Sequence, residues 1–215
     1  MYSKEKDRYE KLTIVEDTNQ KVGKHEAVNK YFEQQGIQVV RSRLPVGDYI
    51  LANEKVHDVF SRKAARGIPV KMMDLIGTYD VAIDEKFSIA ELCENVCGKS
   101  HDRFRDELLL AQNNGIKLYI VVRNDPELVY SKNGTIVSNK TITDLKDLHK
   151  WVNPRLWIFQ KGKQKYPRAT KGITLQKACH TLETKYGCSF VFVSSKNAGA
   201  KIIELLTQQT ICTNP

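Results

Sequence analysis

Asp84 and Lys86 stand two residues apart in the stretch Tyr79 to Leu92, whose first half alternates like a strand. Tyr79, Val81 and Ile83 fall on one face, Asp84 and Lys86 together on the other, and Glu85 points away from them. A carboxylate and an ammonium leaving one strand face side by side suit metal-dependent phosphodiester cleavage. The acid holds a divalent cation, and the lysine orients or activates a water, or stabilises charge near the phosphate. Taken alone, Asp-x-Lys also reads as an exposed salt bridge at a strand end, so its weight depends on what the chain brings to it. Two other acids stand at strand ends: Asp17 closes the apolar run Leu12 to Glu16, and Asp48 opens Asp48 to Leu51 after the turn Pro45-Val46-Gly47. Carboxylates from neighbouring strands, completed by waters and a substrate phosphate, are what Mg²⁺ or Mn²⁺ takes. Such crowding of negative charge is costly without the cation.

The elements that must position these groups follow from periodicity. Leu12 to Glu16 reads as a buried strand, and a helix from about His25 carries Ala27, Val28, Tyr31 and Phe32 up to Gly36. Ile37 to Arg43 reads as a second strand, which the tight turn joins to Asp48–Leu51 as an antiparallel hairpin. Ala52 to Thr78 reads as an insertion, a solvated charged loop whose basic residues, Arg62 to Gly67 among them, could contact phosphate. After the central strand, Ser88 and Glu91 form a capping box ahead of the stripe Ile89, Leu92, Cys93 and Val96. Ser100 caps a further helix with Phe104, Leu108 and Ala111 inside, and Leu118 to Val122 is a buried strand. Asn133-Gly134 signals a hairpin, Thr143 and Thr174 cap two helices, and Pro154 to Phe159 reads as extended. Ser189 to Val193 is a last strand and Asn197 to Gln208 a last amphipathic helix. This order gives an α/β fold with a mixed central β-sheet flanked by helices.

The totals set limits. The chain has 215 residues, 41% hydrophobic and 27% charged, as in soluble globular proteins. No apolar run is long enough to span a membrane, and the charged start lacks a signal-peptide core, so a cytoplasmic protein is expected. Five cysteines without a C-x-x-C pair read as reduced thiols rather than a zinc site; Cys93 and Cys97 lie four apart on a predicted helix. The formal charge of +9 favours a polyanionic partner. From Leu148 to Leu182 there is no acid at all against eight basic residues, interleaved with Trp151, Trp157 and Tyr166. That window favours nucleic-acid contact through Lys161, Lys163, Lys165, Arg168 and Lys171, with bases stacked on exposed aromatics. The alternative is a solvated basic face whose tryptophans are core.

Four segments in order, IVEDTNQ, LPVGDYIL, VAIDEKFSIAEL and RFRDELLLAQ, resemble the XPF/MUS-type nuclease domain of the restriction-endonuclease-like PD-(D/E)XK superfamily. That family shows I-V-x-D-x-R-E, then G-D-Y, E-R-K and an R-F-x-x-Q-like helix. Asp17 matches the first acid, Asp48 the second, Asp84 and Lys86 the outer residues of E-R-K, and Arg103-Phe104-Arg105 the helix motif. The matching motifs lie within residues 12 to 123, and the short form resembles versions carried by bacteriophages and prophages. Asn19 and Gln20 stand where the family has Arg and Glu, and Glu85 where it has Arg; the first two bear on a second metal or a substrate contact.

The resemblance implies a restriction-endonuclease-like fold and a Mg²⁺-dependent DNA endonuclease, with Mn²⁺ able to substitute, selective for branched or flap-like DNA. Asp48, Asp84 and the backbone carbonyl of Glu85 would hold the metal, with Asp17 completing the shell. Lys86 would act on the water, and Arg103 and Arg105 would steer DNA or brace the acids. Glu107 is a weaker candidate ligand, and His25 either reaches phosphate or has a local role. Repair or recombination would be its setting, in a bacterial or phage-infected host cell. A homodimer is compatible, and no small-molecule cofactor is expected. A catalytically silent DNA-binding scaffold, or a nuclease of ordinary duplex, are the alternatives. The expected organisation is a nuclease core over residues 1–125, with the insertion at 52–78. A basic part, 126–215, completes the same domain through the strand at 189–193 and the final helix.

Overall fold

The computed structural model describes residues 12–19, 23–125, 128–130, 133, 135–138 and 141–208; Gln20, Cys212 and Gly134 lie outside them. Six strands form one mixed sheet. These are β1 (Thr13–Asp17), β2 (Gln38–Ser42), β3 (Tyr49–Leu51), β4 (Val81–Lys86), β5 (Lys117–Arg123) and β10 (Ser189–Val193), in the order β10-β5-β4-β3-β1-β2. Two small antiparallel pairs stand apart from it: β6 (Leu128–Tyr130) with β7 (Ile136–Ser138), and β8 (Phe159–Gln160) with β9 (Lys163–Gln164). The helices are α1 (Glu26–Gln34), α2 (Glu54–Ala65), α3 (Ile89–Cys97), α4 (His101–Asn113), α5 (Gly172–Tyr186) and α6 (Ala198–Thr207). Among the described residues no helix is long and apolar enough to cross a membrane.

The chain folds into two compact units. One takes the chain up to Glu85, with Leu109–Tyr119 and the last helix; the other takes Lys86–Leu108 and Ile120–Ser195. In the first, β1-α1-β2 is a strand-helix-strand crossover, and β1 pairs β2 in parallel, Val15 against Val40. α1 buries Val28 and Phe32, and Gly199 of α6 lies against the ring of Tyr31. In the second, α5 buries Leu175, Cys179 and Leu182 and packs on a 3₁₀ turn at Leu145–Lys150, where Gln176 Nε2 donates to Leu145 O at 3.1 Å.

Several local expectations change. β2 and β3 are not a hairpin: β3 pairs antiparallel with β1, Val15 against Ile50, so β1 lies between them. The reason is the crossover. β2 runs parallel to β1, and the segment after it must pass the end of β1, where the carboxylate of Asp17 accepts the Leu44 N–H at 3.0 Å. The insertion is helical: Asn53 Oδ1 accepts the Val56 N–H at 3.0 Å as N-cap of α2, and Val56 and Val59 anchor it. A 3₁₀ turn, Met72–Leu75, follows. Pro154–Trp157 is also a 3₁₀ turn rather than extended, because Asn153 caps it and Pro154 fits its first position. Asp144 and Lys171, not Thr143 and Thr174, are the cap residues. Trp151 is buried and so unavailable for stacking.

Candidate active site

β1, β3 and β4 are neighbours, and the main chain of Asp48 stitches their ends. Asp17 N–H donates to Asp48 O at 2.8 Å, and Asp48 N–H donates to Ile83 O at 2.6 Å. With Tyr49 registered against Ile83 and the Asp48 N–H bound to the same Ile83, Asp48 lies beside the end of β4 that carries Asp84. Gly47 makes this approach possible. Its φ is +78°, and a Cβ there would lie 2.8 Å from Ile83 O. One oxygen of the Asp48 carboxylate, Oδ2, accepts the Glu85 N–H at 2.9 Å, which fixes its direction. Asp17, Asp48 and Asp84 are thus brought to adjacent strand ends, all buried.

Lys86, two residues beyond Asp84 on β4, takes the same face by alternation. It is buried, with Nζ 5.3 Å from the centroid of the Phe104 ring. This gives the Arg-Phe-Arg motif its local logic. Phe104 is core, Arg105 pairs with Asp102 and Asp106 at 3.2 Å each, and Arg103 is exposed.

The opposite side of the strand alternation holds a network that sequence patterns alone do not assemble. Glu16 pairs in register with Tyr49 and is buried. Its carboxylate takes three partners: His25 Nδ1 at 3.1 Å, Asn29 Nδ2 at 2.9 Å and Arg41 Nε at 3.3 Å. An ionised Glu16 only accepts, so Nδ1 is then the donor. His25 Nε2 lies 3.8 Å from Glu85 Oε2 and 4.0 Å from Asp48 Oδ2. Its ring sits 5.0 Å from that of Tyr49, whose hydroxyl donates to Asn29 Oδ1 at 3.3 Å. His25 is buried, so it holds carboxylates from inside rather than reaching phosphate. The side chain of Glu85, turned away from Asp84, enters the same network. An acid inside an otherwise apolar strand is the signal for Glu16, and a histidine just before α1 the signal for its partner.

Among the described residues no three His, Cys, Asp or Glu side chains converge as a metal cage. The donors at the strand ends are nevertheless the right chemistry for Mg²⁺. It accepts one or two carboxylates and keeps waters and phosphate oxygens for its remaining positions. Asp48 and Asp84 carry hard carboxylate oxygens, and the Glu85 carbonyl lies between Asp84 and Lys86 on β4.

The predicted DNA contacts lie elsewhere in the chain. Lys161, Lys163, Lys165, Arg168 and Lys171 are all exposed, on and after the β8–β9 hairpin. The basic residues of α2 differ: Arg62 pairs with Asp58 at 2.8 Å and Lys63 with Asp74 at 2.7 Å. The Lys63 ammonium and the Lys71 N–H hold the Asp74 carboxyl below the usual range.

The family model of the ERCC4 domain matches residues 16–206. Among solved structures, XPF from Aeropyrum pernix matches with a TM-score of 0.49 and 13% identity, covering 92% of this chain and 65% of that one. The same protein in complex with DNA gives 0.49 and 13%, covering 94% and 66%. The chain thus spans about two thirds of the length of that protein. No curated protein sequence matches it. The chain belongs to the ERCC4 domain family, in keeping with its XPF-type motifs.

Proposed function

We propose that this member of the ERCC4 domain family is a divalent-metal-dependent DNA endonuclease selective for branched or flap-like DNA. One observation carries the reading: the buried carboxylate of Asp48 is bound to the Glu85 N–H, beside Asp84 on β4, with Lys86 two residues beyond Asp84 on the same strand. Asp48, Asp84 and the Glu85 carbonyl would hold Mg²⁺, or Mn²⁺ in its place. The bound cation would supply Lewis-acid stabilisation of charge developing on the phosphate. Lys86 positions the attacking water or offsets phosphate charge. Its seat over Phe104 restricts where the ammonium can go, which favours one geometry over many. Asp17 gives one carboxylate oxygen to Leu44 N–H and so braces the strand ends while completing the acid set. Glu16, His25 and Asn29 act through Asp48 and Glu85. They hold the carboxylates in place and do not touch DNA. Lys161, Lys163, Lys165, Arg168 and Lys171 track the backbone, and exposed Arg103 assists.

The test is cleavage of labelled single strand, duplex, flap, fork and four-way junction, with Mg²⁺, with Mn²⁺ and with chelator, for the native chain and Asp84→Ala. Metal-dependent cutting of branched members, lost in Asp84→Ala, is the expected result. Binding without cutting under any metal would leave a DNA-binding scaffold. Equal cutting of plain duplex would remove the branch selectivity. Light scattering on the same samples tells a homodimer from a monomer.

A further inference from the structure

The β8–β9 hairpin is built more firmly than a solvated loop requires. Its turn, Lys161-Gly162, has φ of +50° and +76°, the two left-handed positions of a type I′ turn. Phe159 pairs with Gln164 and Gln160 with Lys163, and Lys165 N–H donates to Ile158 O at 2.7 Å, so the pairing extends one step past the strands. The side-chain amide of Gln164 donates to Leu156 O. At the base, buried Asn153 ties both arms together: Oδ1 accepts the Arg155 N–H at 3.0 Å and Nδ2 donates to Thr170 O at 2.9 Å. Arg155 in turn lies 3.5 Å from Glu94 of α3.

What this frame presents is unusual for a surface hairpin. Ile158, Phe159 and Tyr166 are 43%, 37% and 40% exposed, large apolar side chains clustered on a short projection. By strand alternation Phe159 and Tyr166 share one face, while Lys163 and Lys165 lie on the other with Ile158. The segment has no acid, and Lys161 at the tip and Arg168 behind Tyr166 extend the basic edge. Lys165 Nζ rests 5.3 Å from the Tyr166 ring centroid. An aromatic face backed by a cationic edge matches a polyanion with exposed flat bases. The lysines take phosphates, and the rings take bases that have no stacking partner of their own. An acidic protein surface would satisfy the lysines but leave the rings without a purpose. Fully paired duplex offers phosphates but no free base face.

We propose that the Ile158–Tyr166 hairpin is the element that recognises branched DNA, stacking Phe159 and Tyr166 on the bases exposed where paired strands diverge. This rests on the reading of the protein as a DNA-binding nuclease and names the feature of the substrate that it selects.

The test separates binding from cutting. The full chain carrying Asp84→Asn is titrated, in chelator, with a fork holding 2-aminopurine at the first base pair of the branch, and with the corresponding duplex. The expected result is a fluorescence fall on the fork as a ring covers the exposed face of that base. Phe159→Ala and Tyr166→Ala, made separately, each remove at least half of that fall. Each weakens fork binding by roughly 5- to 150-fold, the range for removal of one base–aromatic stack, while duplex binding moves by less than about twofold, because the phosphate contacts that carry it are untouched. Both positions are exposed, so the variants should fold, and circular dichroism melts check it. An unchanged fall and an unchanged fork-to-duplex ratio in both variants would overturn the proposal. So would a patch that serves self-association: Phe159→Ala turning a dimer into a monomer by light scattering with fork binding intact. A native chain that cuts nothing but shows hairpin-dependent fork recognition would remove the nuclease reading and keep this one. A chain that cuts branched DNA with the hairpin variants indistinguishable would do the reverse.

Discussion

The strand-end acids and the β8–β9 hairpin are the two charged regions on which the functional reading depends, and they are built in opposite ways. Asp17, Asp48, Asp84 and Lys86 are buried, and Asp17, Asp48 and Lys86 each set a charged group against a defined neighbour, whether an amide or a ring. The lysines of the hairpin are exposed and share a stretch with no acid. Burial makes a charge expensive to hold and so fixes its position; exposure leaves it cheap, mobile and additive. Chemistry on a phosphodiester needs the first property, and grip on a long polyanion needs the second. The Arg62–Asp58 pair on α2 is the control between them: exposed like the hairpin, neutralised like the core.

The comparison can be broken at four points. The largest effect belongs to Asp84→Asn. Cutting should fall roughly 10³-fold, by analogy with removal of one preorganised electrostatic group, while fork binding in chelator stays within about threefold. Cleavage near the native rate would sink the assignment of the metal ligands. Next is His25→Ala, which leaves Glu16, Asp48 and Glu85 without a buried partner they share. Urea titration should show a loss of about 2–4 kcal/mol. A change below about 0.5 kcal/mol would mean that the network is ornamental. Third, replacing Lys161, Lys163 and Lys165 together by alanine should weaken binding to every DNA tested. The slope of log affinity against log salt should become shallower by about 0.9 for each duplex phosphate that is no longer neutralised. An unaltered slope would place the DNA elsewhere. Smallest is Arg62→Ala: its ion pair is 64% and 60% exposed, so stability should move by less than about 0.5 kcal/mol and DNA affinity by less than about twofold. A large drop in binding there would make α2 a second DNA-binding element.

Local chemistry is legible wherever it is written in neighbouring residues. Ser88 does cap α3, its Oγ accepting the Glu91 N–H at 3.1 Å, although Glu91 returns its carboxylate to Phe87 N–H rather than to Ser88. The Asp-x-Lys alternation on β4 and the αL glycine ending α5 are equally local. What fails depends on partners distant in sequence. Strand pairing is one case: nothing between Ser42 and Tyr49 says that β1 will come between them. Helix α2 is another, because Val56 and Val59 are thin evidence of amphipathicity in a stretch of charge. Trp151 has the sequence neighbours of a stacking platform, lysines among them, and only tertiary packing makes it core. Glu16 reads as the end of an apolar strand because its compensation comes from α1 and β2, which periodicity cannot bring to it.

The stitching of β1, β3 and β4 through Asp48 also has a consequence for synthesis. A chain made as far as Leu51 already owns β1, β2 and β3, yet the amide of Asp48 has no acceptor until Ile83 exists. During that interval Tyr49-Ile50-Leu51, paired with β1 on one side, is an apolar edge strand on the side that β4 will take, a template for pairing with another chain. The acid set is incomplete as well until Asp84 is made, so a growing chain is sticky before its candidate site exists. Variants that slow the docking of β4 should therefore show up first as reduced yield and aggregation during expression, and only afterwards as reduced activity.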